Sequence, residues 1–318
     1  MMRLTLAAKQ ELPHLRRTMN QPTPLFDPAL LRQRLSRARR DGYADFLMAR
    51  AIDDVDERLG TVLRRFPLAL DLATPIPAAT RWLRGSGRTD AVVRLSPVPE
   101  PGEPLCLVGD PEALPFGNVP EFDLAVSLLA LHAVNDLPGT LVQLRRALKP
   151  DGLFIGCLLG GATLTELRQA FQHAESEMEG GISPRVAPFA EVRDLGGLLQ
   201  RAGFSLPVTD SERVTVRYAD PFALTRDLRA MGLTNALTER RRTPLRRATL
   251  LRMAEIYAER FSDHDGRLRA TFEMIWLSGW TPHESQQKPL KPGSAKSRLA
   301  DALGTPEHVV SGREGNPR

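Results

Sequence analysis

The sequence predicts an α/β fold: a mostly parallel sheet with helices on both faces. Three observations carry that prediction. Short, near-continuous apolar runs recur at residues 66–72, 91–95, 105–109, 122–128 and 153–158. Helical patterns or turn signals separate them, as in strands buried on both faces. Further on, Val214, Val216 and Tyr218 alternate with polar residues, which reads as a half-buried antiparallel strand.

The elements follow in chain order. Residues 26–40 form a basic helix with Asp27 as N-cap and Pro28 at its first position. Residues 44–63 form a second helix, with Phe46, Leu47, Ile52, Val55 and Leu59 near helical spacing. Leu137, Leu141, Leu144 and Leu148 lie on one face of a helix. Asn135 and Asp136 cap its start, and Lys149-Pro150-Asp151-Gly152 turns the chain into the next strand. Thr163 and Glu166 have capping-box spacing ahead of another helix. A helix over 191–202 ends at Gly203. Two more are expected at 221–231 and 244–261, then a last strand at 271–279. A domain over 26–280 results, with a helical insertion at about 219–265. An N-terminal extension and a polar C-terminal tail from 281 flank it.

The chain has 318 residues, 42% apolar and 25% charged, which excludes a wholly disordered protein. No run of about eighteen apolar residues predicts a transmembrane helix. Two cysteines exclude a disulfide scaffold and a cysteine-based zinc site. Cys106 and Cys157 sit in apolar runs and read as buried thiols of a reducing compartment. That points to the cytoplasm, or to the mitochondrial matrix for a eukaryotic source. Residues 1–18 weakly resemble a transit peptide, while Met19 offers an alternative start. The net charge of +5 is mild. Arginines cluster at 32–40 and 240–247 without interleaved aromatics, so a solvated helix face is expected rather than a nucleic-acid surface. No His partner for a metal stands near His132, and no metal site is expected.

Several segments carry a resemblance. They are Leu70-Asp71-Leu72, the run Gly109-Asp110-Pro111-Glu112-Ala113-Leu114-Pro115-Phe116, Phe122-Asp123-Leu124-Ala125-Val126-Ser127, and Leu144 to Gly152. Together they resemble the class I S-adenosylmethionine-dependent methyltransferases. The resemblance implies a Rossmann-like seven-stranded sheet, with five parallel strands and an antiparallel pair. Leu25-Phe26-Asp27, the run from Leu131 to Gly139 and Gly160-Gly161-Ala162-Thr163-Leu164 are similar to one subfamily. It contains the mitochondrial complex I assembly factor 5 and its bacterial relatives, and it resembles the malonyl-carrier-protein methyltransferases. It implies S-adenosylmethionine as cofactor, and a protein substrate or respiratory-complex subunit as partner. For mitochondrial members it implies arginine hydroxylation during complex I assembly. Cofactor contacts are implied at Asp71, Ala73, Arg94, Asp110, Pro111 and Ser127, with His132, Asn135 and Asp136 on the substrate side. No catalytic residue is assigned.

Three departures leave two readings open, a methyltransferase-like enzyme and a non-catalytic assembly factor. After Asp71-Leu72 the family pattern requires glycines, and Ala73-Thr74-Pro75-Ile76-Pro77-Ala78 has none. Side chains at Thr74 and Ile76 are expected to intrude on the cofactor. Pro75 and Pro77 lack N–H donors. Proline is in excess, 26 residues or roughly 8% against about 5% on average, and these two stand where the fold uses glycine. Arg94 is expected at or near the acid that ends strand two, although a guanidinium accepts no hydrogen bond. Ala133 replaces a subfamily tryptophan.

Overall fold

A computed structural model of the chain describes residues 23–116 and 119–286. The expectations for residues 1–18, for Met19 and for the tail beyond 286 lie outside them. One seven-stranded sheet has the order β3-β2-β1-β4-β5-β7-β6. The strands are β1 (Leu68–Leu72), β2 (Ala91–Ser96), β3 (Cys106–Val108), β4 (Phe122–Leu128), β5 (Leu148–Leu159), β6 (Ser205–Tyr218) and β7 (Leu268–Trp280). The first five are parallel, and β7 inserts antiparallel between β5 and β6. This is the Rossmann-like class I methyltransferase sheet. The order reverses at β1, so the carboxyl ends of β1 and β4 flank a crevice where such sheets bind ligands.

Burial explains the strands. All seven residues of β4 are buried, as an inner parallel strand requires. The long β6 alternates along its length because it is a sheet edge with one wet face. The helices are α1 (Pro28–Asp41), α2 (Phe46–Gly60), α3 (Ala78–Gly85), α4 (Leu137–Ala147), α5 (Thr165–Glu179), α6 (Val192–Ala202), α7 (Pro221–Ala230) and α8 (Arg247–Phe261). Two apolar layers form. One packs Leu47, Leu59, Met253, Phe272 and Trp276; the other packs Leu141, Leu144, Phe154, Leu199 and Leu277 on the opposite face.

Most caps match the sequence. Asp27 accepts the Leu30 N–H at the start of α1. Asp136 accepts the Gly139 N–H at 2.8 Å at the start of α4. Gly203 ends α6 at φ 86°. Asp136→Ala is expected to cost about 1 kcal/mol, the usual value of a lost N-cap. A urea titration with unchanged slope and a lower midpoint checks it.

Three local expectations are corrected. Thr163 and Glu166 form no capping box. Thr163 Oγ1 accepts the Glu273 N–H at 3.1 Å, and Glu166 accepts the Thr271 N–H at 3.1 Å. Both side chains therefore stitch the start of α5 to β7, and α5 begins at Thr165 behind Leu164 with φ 55°. Asn135 does not cap α4. Its Oδ1 accepts the Phe26 N–H at 2.8 Å, joining the loop after β4 to the chain just before α1. Cys157 is buried, but Cys106 is only partly so, because β3 is a three-residue edge strand.

A candidate cofactor cleft and an adjoining apolar chamber

A cleft of about 770 Å³, open mouth included, lies at the carboxyl ends of β1 and β4. Ala73 and Pro75 line it below β1, and Asp110, Pro111 and Glu112 line it after β3. The segment from Leu129 to Asn135 lines it after β4. Helix α1 closes one side with Pro28, Leu31, Arg32 and Leu35. These positions are spaced three or four apart, so they share one helix face.

The loop after β1 keeps one feature of a glycine loop without the glycine. Ala73 has φ 56°, the left-handed conformation, and its N–H donates to the Leu95 carbonyl at 2.8 Å. A non-glycine residue there costs of order 1–2 kcal/mol. The expectation that Thr74 and Ile76 fill the cleft is corrected. Thr74 is fully buried, and its hydroxyl accepts the Leu128 N–H at 3.2 Å between β1 and β4. Ile76 packs against the core, and Ala73 and Pro75 are the loop residues that line the cleft.

Arg94 does not reach the cleft. It lies two residues inside β2, in register with Asp71 of β1, and is fully buried. Its Nη1 donates to Asp71 Oδ2 at 2.5 Å and its Nη2 to the Thr74 carbonyl at 2.6 Å, while its Nε donates to Glu100. Asp71 Oδ2 accepts from Arg94 Nη1 and from the Thr80 hydroxyl at 2.6 Å, and Asp71 does not line the cleft. Arg39 of α1 donates to the Pro75 carbonyl and, at 3.2 Å, to Ser96 Oγ. Ser96, not Arg94, ends β2. The loop thus turns two carbonyls toward two arginines behind the cleft. The arginine charges face Asp71 and Glu100, and Asp71 with Glu100 favours the charged form of Arg94 against the opposing effect of burial.

Of the other expected site residues, Ala73, Asp110, Pro111, His132 and Asn135 line the cleft. Ser127 and Asp136 do not. Ser127 is fully buried inside β4, and Asp136 is exposed at its cap. Asp110 Oδ1 accepts the Glu112 N–H at 2.9 Å, a turn bond. Glu112 accepts the Asn135 and Asp136 N–H groups at 2.9 and 2.8 Å, tying the loop after β3 to the loop after β4.

His132 stands between this cleft and a second cavity. Its ring meets Phe189 edge-on at 5.6 Å, and its Nδ1 is enclosed without a partner among the described residues. Burial pushes its pKa down to about 4, so it is neutral at pH 7. Leu31, Ala133, Gly232 and Leu233 also border both spaces. The second chamber encloses about 1000 Å³, open space included, behind Leu164, Leu167, Phe171, Phe189 and Leu228. Arg185 at its edge is matched by the fully buried Glu175 and lies over the Phe171 ring at 5.6 Å. Sequence reading missed this chamber because its walls come from five separated segments.

A family model described as a methyltransferase domain matches residues 87–156. The mitochondrial arginine-hydroxylase NDUFAF5 of Danio rerio is 40% identical over 268 residues, 81% of this chain and 82% of that protein. The chain belongs to this family. Its Homo sapiens member is 38% identical over 291 residues, 88% of this chain and 82% of the relative. The malonyl-[acyl-carrier protein] O-methyltransferase of Halorhodospira halophila is 35% identical over 254 residues, 76% of this chain and 84% of that one. Among solved structures, the YcgJ protein of Bacillus subtilis has a TM-score of 0.49 at 14% identity, covering 71% of this chain and 97% of that chain. The family member described here is methyltransferase-like, and no helix among its described residues is long and apolar enough to cross a membrane.

Proposed function

We propose that this protein binds S-adenosylmethionine in the cleft and acts as a methyltransferase on a protein substrate, a subunit of respiratory complex I during its assembly. One observation carries this reading. The crevice at the strand ends is open, bears Asp110 and His132 on its walls, and shares its His132 wall with an apolar chamber. The NDUFAF5 relatives support the complex I assignment, and the O-methyltransferase relatives support the reaction type.

The residues present fit an adenosine-bearing ligand. The cleft walls are largely apolar, as a purine face requires, and Asp110 adds a carboxylate acceptor. Ala73 and Pro111 would pack against the ligand, and Asp110 would accept hydrogen bonds from it. When bound, S-adenosylmethionine supplies a methyl group activated by its sulfonium. Methyl transfer depends mainly on proximity and alignment, so the chain's task is to place the acceptor beside that group. His132 is held uncharged at the border of the two spaces and presents a neutral ring there. The apolar chamber would exclude water and seat the part of the substrate next to that group. The free thiols fit a reducing compartment, cytoplasm or mitochondrial matrix.

Titration calorimetry with S-adenosylmethionine tests the reading. Saturable binding is expected, weakened about tenfold by Asp110→Ala, the size of one lost hydrogen bond to a charged group. No heat and no thermal shift at millimolar ligand would overturn it.

A further inference from the structure

The cleft has walls that offer an anion few donors. Pro75, Pro97 and Pro111 line it and have no N–H, and the Ala73 N–H is taken by Leu95. The charged acids on the walls, Asp110 and Glu112, repel a carboxylate. Glu112 is also fully engaged by the Asn135 and Asp136 N–H groups. One guanidinium remains. Arg32 projects from the α1 face that closes the cleft, and no other Lys or Arg lines it among the described residues. The Arg32 guanidinium makes no hydrogen bond or ion pair among the described residues. Its neighbours on α1 are committed elsewhere: Arg34 donates to the Thr234 carbonyl and Arg39 to Pro75 and Ser96.

We propose that Arg32 binds the carboxylate of the ligand's amino-acid end, a role that backbone N–H groups of a glycine loop perform at helix N-termini in related nucleotide-binding folds. The assignment rests on the cleft being the S-adenosylmethionine site. A guanidinium suits this task because its donors form a planar fork that meets both carboxylate oxygens. The loop after β1 is pinned by Arg94 and Arg39 with its carbonyls turned away, so anion recognition passes from the loop to the facing helix. Arg32 is exposed, and it therefore needs no buried counter-charge while the cleft is empty.

The test compares two ligands that differ at that end. S-adenosylhomocysteine carries the carboxylate; 5′-methylthioadenosine lacks the whole amino-acid end. In calorimetry, Arg32→Ala is expected to weaken S-adenosylhomocysteine about tenfold and to leave 5′-methylthioadenosine within about twofold. Arg32→Lys should recover part of the loss, since it keeps the charge but not the fork. Salt should weaken S-adenosylhomocysteine binding more in the wild type than in Arg32→Ala. Equal losses for both ligands, or a loss for neither, would overturn the assignment, as would a wild type that binds both equally. A wild type that binds neither ligand would instead overturn the cofactor reading, and Arg32's role with it. Thermal melting of each variant separates these results from undocking of α1.

Discussion

Arg94→Met is expected to destabilise the protein by about 3–5 kcal/mol, the cost of breaking a buried ion pair from one side. The arginine is 0% exposed and so is its partner Asp71. Removing the guanidinium leaves the Asp71 carboxylate buried with only Thr80 as donor, and frees the Thr74 carbonyl and Glu100. The change is small in volume, because methionine follows most of the arginine stem. The double variant Asp71→Leu/Arg94→Met is expected to recover much of the loss, since replacing both members of a buried pair by apolar groups is often near neutral. Chemical denaturation of the wild type, both single variants and the double variant closes the cycle. Additive losses in the double variant would show that the pair is not the unit that matters.

His132 supplies the second large effect, and its sign follows from the direction of its shift. The folded pKa is about 4 against an ordinary 6.5, because burial disfavours the charged ring. Between these values the unfolded chain binds the extra proton and the folded chain does not. Stability from this group is therefore complete above about pH 6.5 and falls as the pH drops toward 4. Its full size is about 3 kcal/mol at 1.36 kcal/mol per pKa unit. His132→Phe keeps a ring against Phe189 and cannot titrate. Its stability curve over pH 4–6.5 is expected to be flatter than the wild type's by about that amount. Parallel curves would show that the ring opens to water before it protonates.

Much of the fold was legible because its signals are local. Five apolar runs marked the parallel strands, and the alternation of Val214, Val216 and Tyr218 marked β6. Asp27 and Gly203 declared helix ends within one turn. The site was less legible because its decisive contacts are distant in sequence. Arg94 sits in a strand where its charge suggested a ligand contact, yet its partners come from β1, from the loop after β1 and from Glu100. Spacing alone gave Thr163 and Glu166 a capping role. A strand more than 100 residues away in sequence, β7, takes their bonds instead. The absence of glycine after Asp71 was visible, but its outcome was not. Ala73 adopts the left-handed turn, Thr74 is drawn between strands, and the cleft stays open.

Helix α1 also says something about the order in which this molecule is completed. Its attachments reach far along the chain: Phe26 to Asn135, Arg34 to Thr234, and Asp27 to Arg240. The helix leaves the ribosome early, but its last partners are made some 200 residues later. At roughly 5–20 residues per second, that delay is about 10–40 s. Once β5 is made, β1 to β5 can pair, while α1 is held only by its nearer partners, Arg39 to Pro75 and Ser96 and Phe26 to Asn135. The nascent chain therefore passes through a stage in which the ligand-binding edge of the sheet exists while the helix that walls it is only partly fastened.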